Sequence, residues 1–127
     1  MTLPVNARVE AAPNFLSNLD AAHQFFIDQD MDSAPSRLRK LKSQLLEMVS
    51  ILRWSPASGH PARFMSGHSV QARLRTEFVY KLAVQAGLPS LREYIVGSYV
   101  VLYAHSDVEV VLLAIKHQRQ LIYSAES

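Results

Sequence analysis

The chain has 127 residues, no cysteine, thirteen Lys and Arg against eleven Asp and Glu, and a hydrophobic share of 49%. A chain of this length predicts one domain, residues 1–127, with a core of its own. The hydrophobic share argues against disorder, and the lack of cysteine excludes disulfides, thiolate metal sites and thiol nucleophiles.

The net charge of +2 hides an uneven split. Residues 1–36 carry Arg8 against Glu10, Asp20, Asp28, Asp30 and Asp32, a balance of −4, and the remainder carries +6. A basic C-terminal two thirds points to an anionic partner, nucleic acid or an acidic protein segment, although a solvated basic surface would look the same. Residues 1–6 show no basic region followed by an apolar block. No apolar run approaches the roughly 20 residues of a membrane helix. Both observations predict a cytoplasmic protein without a membrane partner.

Asn6 to Ala11 alternates as a short strand. Pro13 and Asn14 then open a helix whose apolar set is Phe15, Leu16, Leu19, Ala22, Phe25 and Phe26. An acidic connection from Asp28 to Asp32 follows. Ser33 is placed to cap a second helix with Pro35 in its first turn. There Leu38, Leu41, Leu45, Met48 and Leu52 recur at 3, 4, 3 and 4, so the two helices form an antiparallel hairpin. Arg37, Arg39, Lys40 and Lys42 lie on or beside its outer face. Pro56, Gly59 and Pro61 mark the stretch from Trp54 to Met65 as a loop. A third helix is predicted from Val70 to Ala86, with Val70, Leu74, Phe78 and Leu82 as its stripe and Gly87 and Pro89 as its stop.

Three strands complete the chain: Leu91 to Val96, Tyr99 to His105 and Val108 to Ile115. Gly97-Ser98 has the composition of a type II′ hairpin turn, and Ser106-Asp107 is a weaker turn signal. Helices followed by a run of strands predict an α+β fold, with the helices on one face of an antiparallel sheet and the first strand at its edge. The last strand runs into Lys116, His117, Arg119 and Tyr123, so protonatable and cationic groups gather at one rim of the sheet. His60, His68, His105 and His117 have no metal-site spacing, so no metal or other cofactor is expected.

Five segments together resemble the RelE/ParE superfamily of type II toxin–antitoxin toxins. Residues Leu19-Asp20-Ala21-Ala22-His23-Gln24-Phe25-Phe26 are similar to the family's first helix, and Arg37-Leu38-Arg39-Lys40-Leu41 through Leu52 to its second. The loop Ser55-Pro56-Ala57-Ser58-Gly59-His60-Pro61 matches its proline-glycine loop. The run Leu91-Arg92-Glu93-Tyr94-Ile95-Val96-Gly97-Ser98-Tyr99-Val100-Val101-Leu102-Tyr103 matches its strand pair. Leu113-Ala114-Ile115-Lys116-His117-Gln118-Arg119 matches the closing strand with its His-x-Arg end. The likeness covers roughly 100 of the 127 residues. A segment of about residues 63–90 exceeds the family's usual connection and reads as an inserted helix.

The resemblance implies a growth-inhibiting toxin of the plasmid-stabilisation kind, neutralised by a cognate acidic antitoxin. Its target would be DNA gyrase in ParE-like members, or messenger RNA in the ribosome in RelE-like members. A non-toxic protein-binding module is the remaining alternative.

Cleavage by 2′-hydroxyl attack needs a base, cations for the phosphorane and an acid. His117, Arg119 and Tyr123 match those roles in type, and Arg92 with Glu93 stands where the family has paired lysines; these four, His117, Arg119, Arg92 and Tyr123, are the candidate catalytic residues. Val100 stands where the family commonly has an arginine, which favours the ParE-like reading. Arg37, Lys40, Leu41, Leu45 and Phe78 are the candidate antitoxin contacts. Cross-strand ion pairs of Arg92 or Arg119 with Glu93 or Glu109, and packing roles for Tyr99 and Tyr103, are the structural alternatives.

Overall fold

The computed structural model describes residues 6–62, 77 and 80–119. The order is β1 (Arg8–Ala11), α1 (Pro13–Gln29), α2 (Ala34–Trp54), a 3-10 turn (Pro56–Ser58), β2 (His60–Pro61), β3 (Ser90–Val96), β4 (Tyr99–His105) and β5 (Glu109–His117). Residues 80–86 form part of a further helix. The fold is α+β. Val70, Leu74 and Phe78 of the expected third helix, and Tyr123, lie outside the described residues.

The five strands form one sheet in the order β1-β5-β4-β3-β2. β1 lies at the edge, as its position in the sequence suggested, but it runs parallel to β5. The sheet is therefore mixed rather than wholly antiparallel. The β3–β4 hairpin turns at Gly97, whose φ of +57° needs a residue without a Cβ, while Ser98 keeps a negative φ. The second connection closes through Ser106, whose hydroxyl accepts the N–H groups of Val108 and Glu109.

The apolar stripe of α2 packs on one face of the sheet. Leu41, Leu45, Met48 and Leu52 join Phe15 and Phe26 of α1 against Val96, Val101, Tyr103, Val110, Leu112 and Ile115. The third helix takes the other face: Leu82, Ala83 and Ala86 pack on Leu102, Ala104, Leu113 and Ala114. Helices thus cover both faces, which corrects the one-face expectation. A strand between two covered faces is buried on both, and residues 101 to 105 of β4 are all buried, the polar His105 among them with hydrogen-bond partners.

One irregularity in β5 decides where the rim residues point. Leu102 pairs with Ala114 and Tyr103 with Leu112, so Leu113 is an extra residue in a β-bulge. Leu113 and Ala114 both join the second apolar layer. The alternation resumes out of phase, which returns Ile115 to the α1–α2 side and sets His117 beside Tyr99.

Beyond Leu112, where β1 stops, α1 continues the edge of β5 with side chains. Asn14 Nδ2 donates to the Leu113 carbonyl at 3.0 Å, and Asn18 Oδ1 accepts the Ile115 N–H at 3.1 Å. Asn18→Ala strips a part-buried N–H of its acceptor. It is expected to lower stability by about 1–2 kcal/mol, read from the urea midpoint at unchanged slope.

Candidate anion-binding cavity

Beyond β5, the chain is tied to the β3–β4 hairpin. The Gln118 N–H donates to the Ser98 carbonyl at 2.8 Å and Gln118 Nε2 to the Gly97 carbonyl at 3.0 Å. The Arg119 N–H donates to His117 Nδ1 at 3.1 Å, which sets the neutral imidazole in the Nε2–H form. The His117 ring meets Tyr99 edge-on, with centroids 5.3 Å apart. These contacts hold His117 and Arg119 at one place although Arg119 itself is exposed.

From the opposite side, α2 brings Arg37. Its guanidinium stacks on Phe26 at 4.2 Å and donates to Gln29 Oε1 at 2.8 Å, so it bridges the two helices across the acidic connection. Between Arg37 and the end of β5 lies a cavity of about 580 Å³. Its wall comprises Ala21, Ala22, Phe25 and Ile115 with Tyr99, its cations are Arg37, Lys116 and Arg119, and the His117 imidazole lies beside them. Among the described residues no carboxylate lines it. Lys116 is in register with Val100, on the other side of the sheet, so it borders the cavity from the strand edge.

Burial raises the Tyr99 hydroxyl above its ordinary pKa of 10.0, and Arg37 pulls it back in part. At neutral pH Tyr99 is therefore a protonated phenol that can donate. The cavity offers donors, positive charge and aromatic surface, a combination suited to an anion.

Arg92 does not reach this cavity. It lies opposite Tyr103 on β4, while His117 lies opposite Tyr99, four residues away or about 13 Å along the strand. Arg92 Nη1 donates to the Gly59 carbonyl at 2.9 Å and Arg92 Nε to His105 Nε2 at 3.1 Å. His105 Nδ1–H then donates to the Ser106 carbonyl at 3.0 Å. Beside them Tyr103, fully buried, accepts the Gly59 N–H at 2.9 Å and donates to the Pro56 carbonyl at 2.7 Å. This cluster pins the Pro56–Gly59 turn beneath the sheet. Glu109, one of the proposed cross-strand partners of Arg92 and Arg119, pairs with Arg8 at 3.4 Å.

Tyr103 gives this cluster a pH signature. Burial raises its pKa above 10.0, against the opposing pull of the Gly59 N–H and of Arg92. A raised folded pKa contributes stability that is whole below the unfolded value and declines as pH rises past 10. Stability should therefore fall in that alkaline window, and the fall should flatten in Tyr103→Phe, as followed by urea unfolding between pH 8 and 11.

The candidate antitoxin contacts separate into two groups. Arg37 lines the cavity and Lys40 is exposed on α2, both open to a partner. Leu41 and Leu45 are 3% and 7% exposed, because the stripe they belong to is the one the sheet needs, and they present no docking surface. Sequence reasoning placed Phe25 in the core, yet it is 53% exposed on the cavity wall. Phe15, Leu19, Ala22 and Phe26 already supply the buried face of α1. The surplus aromatic was the available signal.

Among the described residues no three His, Asp or Glu side chains converge as metal ligands, and no helix is long and apolar enough to cross a membrane. No protein-family model matches the chain, and no curated protein matches it.

Proposed function

We propose that the protein is the toxin of a two-protein module, a ParE-like growth inhibitor that acts on DNA gyrase and is held inactive by an acidic antitoxin. The observation that carries this reading is the gathering of Arg37, His117 and Arg119 at one cavity, with no carboxylate among its described lining residues, while Arg92 is engaged at the other end of the sheet. A cluster of cations with an aromatic wall is equipped to grip an anionic surface. An acidic antitoxin segment is drawn to the same charges and to Lys40. Its affinity should fall as salt rises from 0.05 to 0.5 M, measured by titration calorimetry.

RelE-like cleavage of ribosome-bound RNA is the second reading. It is favoured by one contact, the Tyr99 ring edge-on to the His117 ring, which sets two side chains of the kinds used in proton transfer side by side.

Induced expression in bacteria tests the toxin class. Growth arrest that a neighbouring open reading frame relieves supports it, and unimpeded growth without any antitoxin favours a binding module. A gyrase supercoiling assay and a translating-ribosome cleavage assay on the purified chain separate the two targets.

A further inference from the structure

The cavity has three properties that together narrow its occupant. Two guanidiniums bracket it, Arg37 from α2 and Arg119 from the end of β5, and planar forks of N–H donors suit phosphate oxygens. Arg37 is pre-positioned by Phe26 and Gln29, so little side-chain freedom remains to be lost on binding. Phe25 and Tyr99 add aromatic surface to the same wall, and a half-exposed phenylalanine is a stacking platform for a flat ring. A volume of about 580 Å³ is enough for a single small ligand.

Other ligand classes fit less well. A cationic ligand would find no carboxylate among the described lining residues. A purely apolar one would desolvate two guanidiniums without compensation. A small carboxylate or free phosphate would leave the aromatic wall unused.

We propose that this cavity binds a nucleoside phosphate, its phosphate held between Arg37 and Arg119 and its base laid against Phe25 and Tyr99. The ligand is either a free mononucleotide or one nucleotide of a single strand, since both present the same group. The inference rests on the cavity alone and does not depend on toxicity or on its target.

The test is titration calorimetry on the full chain with four probes: adenosine 5′-monophosphate, inorganic phosphate, adenosine, and a short single-stranded oligonucleotide. The expected result is saturable binding of the mononucleotide, at least about tenfold tighter than phosphate or adenosine. Arg119→Ala and Phe25→Ala alter exposed side chains and keep the fold. Each should weaken mononucleotide binding by about tenfold or more, and Phe25→Ala should leave weak phosphate binding unchanged. Leu46→Ala, exposed on α2 and outside the cavity, should change nothing. Binding of the oligonucleotide alone, lost in the same two variants, assigns the site to a strand. The proposal is overturned by three outcomes: no saturable binding of either nucleotide probe, equal binding by Arg119→Ala, or phosphate matching the mononucleotide.

Discussion

Gly59→Ala is expected to lower the unfolding free energy by about 3 kcal/mol. A Cβ at Gly59 would lie 2.4 Å from the Glu93 carbonyl oxygen, 2.7 Å from the Tyr103 hydroxyl and 2.9 Å from Tyr103 Cε1. Neither neighbour can withdraw. Glu93 O belongs to the backbone of β3, and Tyr103 is enclosed on every side. The turn itself must move, and three hydrogen bonds depend on its position: Gly59 N–H to Tyr103, Tyr103 to the Pro56 carbonyl, and Arg92 to the Gly59 carbonyl. Tyr103→Phe in the same background removes the clash with the hydroxyl but not the one with Glu93 O. It should therefore restore none of the lost stability. Urea unfolding of both variants measures the effect, and a loss below about 1 kcal/mol for Gly59→Ala would mean that the turn is not clamped between β3 and Tyr103.

The fold was legible where one periodicity met one environment. The 3-4-3-4 spacing of Leu38, Leu41, Leu45, Met48 and Leu52 located α2, and all but the half-buried Leu38 are core. Gly97-Ser98 marked its hairpin because only a positive φ closes so short a turn. The reading was weaker where long-range partners decide. β2 is two residues long and exists because His60 and Pro61 find Glu93 and Arg92 on β3, a pairing that local sequence does not encode. Ser33 was expected to cap α2 with its side chain, but its hydroxyl instead donates to the Asp30 carbonyl at 3.4 Å.

Part of the site was legible and part was not. His117 and Arg119 were chosen for residue type and position, and they do line one cavity with Arg37. Strict alternation, however, would put His117 on the face opposite Val110 and Leu112. Only the bulge at Leu113 brings it to the α1–α2 side, and an extra residue in an unbroken apolar run leaves no local mark. Arg92 was grouped with His117 because the resemblance implies a strand cation beside the C-terminal His and Arg. The antiparallel register sends them to different ends of the sheet.

Arg119→Ala and His117→Ala are expected to separate binding from cleavage while leaving the fold intact. Arg119 is exposed, so its loss should alter stability by no more than about 0.5 kcal/mol. His117→Ala gives up an edge contact with Tyr99, about 1 kcal/mol at most. On the gyrase reading the cavity grips a surface, and the losses are graded. Arg119→Ala should raise the concentration for half-inhibition of supercoiling about tenfold, His117→Ala about threefold, and the two should combine to roughly thirtyfold. On the cleavage reading His117 moves a proton at the reacting centre. His117→Ala alone should then cut the ribosome-dependent rate by about 10²–10⁴, with little left for the second substitution to remove. The same preparations serve both assays, and growth of the induced strains provides a third readout. Full toxicity in the double variant would remove the cavity from either mechanism, because no other described cluster joins cations to an exposed aromatic wall with no carboxylate among its lining residues.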